Sequence, residues 1–300
     1  MGGIIKDINE LTPVERIGDY WFKRDDYFMP YGDIPINGGK VRQCISLLNE
    51  AHDKIVKDFN STVVIGTSIS TSMGIMVARE AREHGFRAIA FVGGTKLDLI
   101  VNNPDKYPLQ TNVRVVGGEL NADAKLGYYN ILDSQIAKWT ATNGPAFQVK
   151  YPHNLLDYPT SILGSISNQV QNLPDDLDVL IVPSGACITL SAILLGLERF
   201  NKRVGKVVGI QISGFDKRGF VNDVIGHELP YDFRISKDFK YATPCKRFYN
   251  GIELDWLYEG KAFDYMEKYM LDEIRGKNVC FWLVGNSTPV RTKVFGSLQP

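Results

Sequence analysis

The feature that most constrains the fold of this chain is the alternation of short apolar runs with longer segments of helical periodicity. The runs are apolar at nearly every position, which predicts strands buried on both faces of a parallel sheet; they span residues 62–65, 88–92, 113–116, 179–182, 207–212 and 279–284. Helical periodicity is found in residues 41–59, 73–84, 122–140, 162–171, 188–200 and 261–274. Strands that alternate with helices predict βαβ units, whose ligands bind at the carboxyl ends of the strands.

Length and charge narrow the possibilities further. The 300 residues suit one large α/β unit or two lobes around a cleft. Residues 102–110 and 214–249 have the least regular pattern, and we expect loops over a cleft there. Lysine plus arginine equals aspartate plus glutamate, 34 residues each, so no net charge attracts the chain to nucleic acid or membrane.

Other features indicate the environment of the protein. No run reaches the ~18 apolar residues that span a bilayer, so no membrane partner is expected. The four cysteines are scattered and form no CxxC pair, which favours a reducing setting over a disulfide scaffold. Together with a start that lacks a secretory pattern, this predicts a cytoplasmic protein.

Several common catalytic motifs are absent. Gly38-Gly39-Lys40 is followed by Val41, where a phosphate-binding P-loop has Ser or Thr. No GxGxxG follows a predicted strand, no GxSxG elbow is present, and the four histidines are too dispersed to suggest a metal site. Nucleotide-binding, hydrolase and zinc functions are therefore weakly supported.

The first candidate functional residue is Lys40, at the start of a predicted helix. Gly38 and Gly39 before it allow the backbone to approach a flat ligand closely. In the first turn of a helix, a lysine lies near the positive end of the dipole, which disfavours its ammonium form. A lysine that forms a Schiff base must spend time as a free amine, so this position suits that chemistry. The alternative is a solvated lysine at a helix start.

Two loops between a predicted strand and a predicted helix could bind an anion. Residues 66–74 form a run of hydroxyl side chains that includes Ser70, Thr71 and Ser72, although a simple helix N-cap is the alternative interpretation. The second loop has small residues that let phosphate oxygens reach backbone amides, although tight turns of this kind are common; it contains Ser184, Gly185, Ala186, Cys187 and Thr189. The last predicted strand leads into Gly285-Asn286-Ser287-Thr288, where polar side chains could meet a heteroaromatic nitrogen.

The order and spacing of these segments resemble the fold type II, or tryptophan-synthase-β-like, enzymes that depend on pyridoxal 5'-phosphate (PLP). Within that superfamily the chain is most similar to 1-aminocyclopropane-1-carboxylate deaminase and D-cysteine desulfhydrase. The resemblance covers nearly the whole chain and rests on TPVER at 12–16, FKRDD at 22–26, GGKVR at 38–42 and LDWLYEGKA at 254–262. It implies two lobes, each with a mainly parallel twisted sheet flanked by helices, and PLP in the cleft. The larger lobe would contain residues 1–50 and 151–300, and the smaller lobe residues 51–150.

The resemblance also implies roles for individual residues. Lys40 would carry PLP as an aldimine, Ser70 would hold the substrate carboxylate or transfer a proton, and Tyr258 would line the substrate side. The remaining matches are cofactor-binding positions, namely Thr71, Ser72, Ser184, Gly185, Ala186, Cys187, Thr189, Asn286 and Ser287.

The chain departs from the family pattern at several of these positions. The deaminases have Asn and Gln where this chain has Thr71 and Ser72. The phosphate loop lacks the usual glycine pair, since Ala186 and Cys187 stand there. The partner of the pyridine nitrogen is left open among Asn286 and the two residues after it.

Three functions are consistent with these observations. The first is a PLP-dependent lyase or deaminase acting on a small amino-acid-like substrate, and the family tendency implies a homodimer. The second is a PLP-dependent decarboxylase or lyase that tailors an amino-acid-modified pyrimidine in viral DNA. Its motivation is the interleaving of basic and aromatic residues in 237–241 and 246–249, which suits a nucleic-acid substrate. The third is a binding protein that keeps the fold without catalysis.

Overall fold

The computed structural model describes residues 6–123, 129–150, 157–241 and 243–285. The helices in this part of the chain are α1 (Gly39–Asp58), α2 (Met73–Glu83), α3 (Leu97–Asn102), α4 (Pro108–Val115), α5 (Tyr129–Asn143), α6 (Pro159–Ser167), α7 (Ile188–Arg199), α8 (Arg218–Ile225), α9 (Glu259–Tyr269) and α10 (Leu271–Ile274). Each described helix is too short or too polar to cross a membrane.

Parallel pairing dominates the sheets, as the apolar runs predict. The strands are β1 (Val14–Ile17), β2 (Tyr20–Arg24), β3 (Thr62–Ser68), β4 (Arg87–Gly93), β5 (Glu119–Asp123), β6 (Phe147–Val149), β7 (Val179–Ser184), β8 (Lys206–Gln211), β9 (Asp232–Ile235), β10 (Arg247–Tyr249), β11 (Ile252–Leu254) and β12 (Val279–Leu283). One sheet has the order β1-β2-β12-β7-β8-β9, another β5-β4-β3-β6, and β10 and β11 form a hairpin. In the two larger sheets only the β1–β2 pair is antiparallel. The α/β fold class is thereby confirmed.

The chain divides into two compact units. The first comprises the residues up to Gly32, Asn37–Gln43 and the described residues from Pro159 to Gly285, and it contains the sheet from β1 to β9. Its core is built on β7, β8 and β12 together with the inner face of α9, on which Phe263 and Met266 are fully buried. The second comprises Asp33–Ile36 and Cys44–Tyr158 and contains the sheet from β5 to β6.

One predicted strand is wrong. Residues 113–115 are the last residues of α4, and residue 116 caps its C-terminus. The next strand, β5, begins only at Glu119. The physical reason is helical spacing: Leu109, Val113 and Val116 are buried, whereas Val115 between them is 67% exposed. A short apolar run therefore does not distinguish a strand from the buried face of a short helix.

Several predicted boundaries are also corrected. The helix predicted at 122–140 overlaps β5, and the helix itself is α5, Tyr129–Asn143. Residues 102–110, expected to be a loop, include a 3₁₀ turn and the start of α4. Residues 214–249, also expected to be a loop, include α8, β9 and β10. These elements have eight residues or fewer, which is too short for a periodic pattern to stand out.

Strand β2 contains a buried lysine that shapes the pH dependence of stability. The Lys23 side chain is fully buried, and its Nζ donates to the Thr12 carbonyl and to Asn172 Oδ1, at 2.7 Å each. Burial lowers the pKa of Lys23 from 10.5 to about 7. The folded protein therefore holds fewer protons than the unfolded chain between these two pH values, so the contribution of Lys23 to the free energy of unfolding increases as the pH rises through this window.

We expect this dependence to disappear in Lys23→Met. Between pH 7 and 8.5 the free energy of unfolding of the unaltered protein should increase by about 1.5 kcal/mol relative to that of the variant. Denaturant titrations of both proteins across this range measure the difference. Parallel pH profiles would show that Lys23 is charged in both states.

Candidate functional site

Lys40 is held at the carboxyl end of β12 by a close crossing of two backbone segments. It is the second residue of α1, and the amide of Gly39 before it donates to the Val284 carbonyl at 3.0 Å. Gly38 and Gly285 both have positive φ, at 88° and 86°, and a Cβ on Gly38 would lie 2.3 Å from the Val284 oxygen. Only glycine fits at Gly38 and Gly285, which explains the first of the two glycines before Lys40.

The Lys40 amine contacts the phenol of Tyr258. Lys40 Nζ lies 3.1 Å from Tyr258 Oη and 4.2 Å from the centre of the ring. The hydroxyls of Tyr258 and Tyr241 are hydrogen-bonded to each other, with their rings edge to face. Lys261 is fully buried and donates to the carbonyls of Lys240 and Tyr241, which fixes the backbone at Tyr241. Two phenols and one amine thus form a continuous chain of hydrogen bonds.

A turn built by Asp255 sets the position of Tyr258. Asp255 Oδ1 accepts hydrogen bonds from the amides of Leu257 and Tyr258 at 2.9 and 2.8 Å. The Asp255 carbonyl accepts from the Gly260 amide at 2.8 Å, which leads the chain into α9. Asp255 is itself buried, so the turn is shielded from water. The local sequence Leu-Asp-Trp-Leu-Tyr therefore contains its own means of orienting Tyr258.

Glu259, the residue after Tyr258, joins this turn to the Lys40 segment. Its carboxylate accepts hydrogen bonds from the amides of Asp255 and Gly285, at 2.8 and 3.1 Å. Burial raises the pKa of Glu259 well above its usual value, and Asp255 nearby raises the pKa further. Sequence reasoning missed this residue, because a glutamate in the first turn of a helix is also an ordinary helix start.

The small-residue loop, from Ser184 to Cys187, also lies against Tyr258. A Cβ added to Gly185 would lie 2.5 Å from Tyr258 Cε1, so this position requires glycine. Cys187 has the left-handed φ of 66°, and no side chain caps the N-terminus of α7 that follows. Uncapped amide groups at a helix start favour an anion there. Ala186 and Thr189 are half-buried beside this end, whereas the Ser184 hydroxyl is turned inward and donates to the Val182 carbonyl at 3.1 Å.

The hydroxyl run of residues 66–74 lies in the second unit. The Ser70 hydroxyl is 3.0 Å from that of Ser68, and the Thr71 hydroxyl accepts from the Met73 amide at 3.3 Å. Ser72 is buried directly before α2 but makes no side-chain cap. These contacts organise the start of the helix. The candidates Asn286, Ser287 and Thr288 lie outside the described residues.

The basic and aromatic segment near β10 is only partly available to a ligand. Arg247 is engaged in ion pairs with Glu267 and Asp264. The Lys246 ammonium lies 5.5 Å from the Phe248 ring and 5.2 Å from the Trp256 ring. The exposed lysines at 237 and 240, together with Lys246, leave a small cationic and aromatic surface.

A half-buried lysine amine that contacts Tyr258, and a loop at the same tyrosine that leads into an uncapped helix, fit an enzyme of the PLP-dependent class. No family model matches the chain. The chain is 30% identical to the O-seryl-dTMP PLP-dependent decarboxylase of Salmonella phage ViI, over 92% of this chain and 81% of the relative. It belongs to the fold type II family of PLP-dependent enzymes.

Solved structures with the same fold include several enzymes. A homologue of ACC deaminase matches with a TM-score of 0.73 at 18% identity, over 96% of this chain and 94% of that chain. O-ureido-L-serine synthase matches with a TM-score of 0.65 at 17% identity, over 96% and 93%. Maize serine racemase matches with a TM-score of 0.62 at 13% identity, over 96% and 92%.

The residues of the first unit suit PLP. The cofactor carries an aldehyde that condenses with an amine and a phosphate that needs hydrogen-bond donors. Lys40 supplies a half-buried amine, and the uncapped start of α7 supplies backbone donors where no described side chain competes for them. Tyr258 contacts both the amine and the loop, so groups that match the two ends of the cofactor both lie next to one phenol ring.

Proposed function

We propose that this enzyme is a PLP-dependent lyase that decarboxylates an amino acid carried on a pyrimidine nucleotide. The observation that carries the proposal is the 30% identity to the O-seryl-dTMP decarboxylase of Salmonella phage ViI, which extends over 92% of this chain. An alignment that covers nine-tenths of the chain at this identity supports more than a shared fold. Decarboxylation of such a substrate breaks the bond between Cα and the carboxylate, releases CO₂ and requires one proton at Cα.

The residues near Lys40 are suited to this chemistry. Bound PLP supplies the electron sink for the electrons left at Cα. Lys40 would hold the cofactor through its amine and, as an ammonium group during turnover, would donate the proton that Cα requires. Tyr258, 3.1 Å away, orients this amine and shares its proton through the hydrogen bond. The amides at the start of α7 would bind the phosphate.

On the family resemblance we also assign roles to residues of the hydroxyl run and of the small-residue loop. Ser70 would contact the substrate carboxylate or transfer a proton, and Thr71 and Ser72 would contact the cofactor. Ser184, Cys187 and their neighbours would form the phosphate loop.

The reaction is tested by supplying holoenzyme with O-seryl-dTMP, free and within a DNA strand, and analysing products by mass spectrometry. Loss of the mass of CO₂ with retention of the amine supports the proposal. Loss of ammonia would identify a deaminase instead, and an unchanged substrate would overturn the proposed substrate class. Preference for the strand over the free nucleotide would indicate a polymeric substrate, for which Lys237, Lys240 and Lys246 provide a cationic surface.

The second candidate is elimination or deamination of a small free amino acid. It is favoured by the match to the ACC deaminase homologue, with a TM-score of 0.73, and by the similarity of residues 254–262 to the deaminase pattern. Incubation with 1-aminocyclopropane-1-carboxylate and with L- and D-cysteine distinguishes it, because release of ammonia or sulfide from any of them would support this candidate.

Two further properties belong to the proposal. We place the protein in a reducing compartment such as the cytoplasm, since all four cysteines are free thiols and all four are buried. We also propose a homodimer, on the family tendency, and light scattering of the purified protein measures its mass in solution.

A further inference from the structure

Gln211 lies at the end of β8, and both the nitrogen and the oxygen of its side-chain amide form hydrogen bonds with the small-residue loop. Its Nε2 donates to the Gly185 carbonyl at 3.0 Å and also to the Ser213 hydroxyl. Its Oε1 accepts from the Cys187 thiol at 3.2 Å. Gln211 is fully buried, so these contacts are shielded from water and each one is costly to lose. One side chain therefore binds two residues of a four-residue loop.

These contacts determine which way the loop amides face. In a planar trans peptide the carbonyl and the following N–H point in opposite directions. The Ser184 carbonyl accepts from the Ile212 amide at 3.0 Å, and the Gly185 carbonyl accepts from Gln211. Both carbonyls are thus turned toward the end of β8, so the amides of Gly185 and Ala186 are turned away from it.

The next residue, Cys187, needs the same support. Its φ of 66° is a left-handed conformation, which costs a non-glycine residue of order 1 kcal/mol and is common only for glycine. The hydrogen bond that the Cys187 thiol donates to Gln211 offsets part of this cost, and a glycine could not form that hydrogen bond. The Cys187 carbonyl is also held, since it accepts from the Ser191 amide at 3.0 Å and from the Ser191 hydroxyl at 3.1 Å.

We propose that Gln211 is a positioning residue that preorganises the loop from Ser184 to Cys187 to receive the phosphate group of the cofactor. It acts through the loop and touches neither cofactor nor substrate. The inference rests on the proposed use of this loop as the phosphate site, and it adds a residue that the family motifs do not include.

The test compares two ligands that differ only in the phosphate. Apoenzyme is titrated with PLP and with pyridoxal, and the dissociation constants are obtained from absorbance and from intrinsic fluorescence. In Gln211→Leu we expect the affinity for PLP to fall about tenfold, whereas the affinity for pyridoxal stays nearly constant. The ratio of the two affinities is the readout, because a general loss of stability would lower both.

Gln169→Leu is the matched control. Gln169 is also a fully buried glutamine of the first unit, and its amide bonds to Thr12 and to the Glu10 carbonyl, away from the loop. It should destabilise the protein without changing the ratio. Equal ratios in Gln211→Leu and the unaltered enzyme would overturn the inference. If the unaltered enzyme binds PLP no more tightly than pyridoxal, the phosphate site itself is refuted, which is a failure of the proposed function.

Cys187→Gly separates the two hydrogen bonds that Gln211 makes with the loop. This variant removes the hydrogen bond from the Cys187 thiol and the strained side chain, but it keeps the hydrogen bond to the Gly185 carbonyl. We expect a smaller fall in the affinity ratio than in Gln211→Leu. A fall as large as that of Gln211→Leu would show that the thiol, rather than the glutamine, organises the loop.

Discussion

Replacement of Lys40 by alanine is expected to abolish both the covalent attachment of the cofactor and turnover. Lys40 Nζ is the described amine that contacts Tyr258 beside the small-residue loop, and it supplies the proton donor of the proposed reaction. Removing a group that is both attachment point and proton donor should lower kcat at least about 10³-fold. Borohydride treatment of the unaltered holoenzyme followed by mass spectrometry of peptides should find the cofactor on Lys40 and nowhere in Lys40→Ala.

Two controls separate the amine from the charge. Lys40→Arg keeps a cation but presents a guanidinium that is never a free base, so it should be as inactive as the alanine variant. Lys202→Ala removes another lysine of the same unit, which binds the Leu173 carbonyl and Asp175, and should retain activity. Full turnover in Lys40→Arg would contradict the assigned role.

Replacement of Tyr258 by phenylalanine is expected to lower kcat by about 10²-fold while cofactor affinity changes little. The variant keeps the ring that packs on Gly185 but loses the hydroxyl that bonds Lys40 and Tyr241. Because this hydroxyl orients the amine and shares its proton, the loss should affect kcat more than KM. The pH profile of kcat should also shift, since the amine loses its hydrogen-bond partner.

Tyr249→Phe serves as the matched control for this variant. Tyr249 also belongs to the first unit, and its hydroxyl accepts from the Asp19 amide at 3.0 Å while its ring packs on Phe22 and Phe263. It should change stability slightly and leave kcat and its pH profile unaltered. An unchanged kcat in Tyr258→Phe would show that the tyrosine contributes only its ring.

Periodicity predicted the buried parallel strands well because these strands are apolar along their whole length. Residues 62–65, 88–92, 179–182, 207–212 and 279–284 all lie mainly in strands. Strands β1 and β2 were not predicted. Strand β2 contains Lys23 and Arg24, which are buried through a hydrogen bond and an ion pair rather than through apolar character. The apolar run at 113–116 was wrongly predicted to be a strand, because four residues are too few to distinguish the period of a helix from that of a strand.

At the candidate site, the family resemblance predicted roles for Lys40 and Tyr258, and the structure brings them to 3.1 Å although 218 positions separate them. Glu259 and Gln211 were missed, because neither stands in an unusual sequence. Glu259 matters because it accepts a hydrogen bond from the Gly285 amide after β12, and Gln211 matters because it donates to the Gly185 carbonyl after β7.

The sequence alone determined the fold class through apolar periodicity, and its resemblance to the fold type II enzymes implied PLP as the cofactor. The assignment of Lys40 as the attachment residue stays a prediction. The tertiary structure decided how Lys40 is oriented and how the small-residue loop is held. Those contacts join segments that become neighbours only once the strands have paired, and a hydrogen bond between distant segments leaves no mark on the local pattern. Lys40 is therefore visible in the sequence, whereas its partnership with Tyr258 and the support from Gln211 are not.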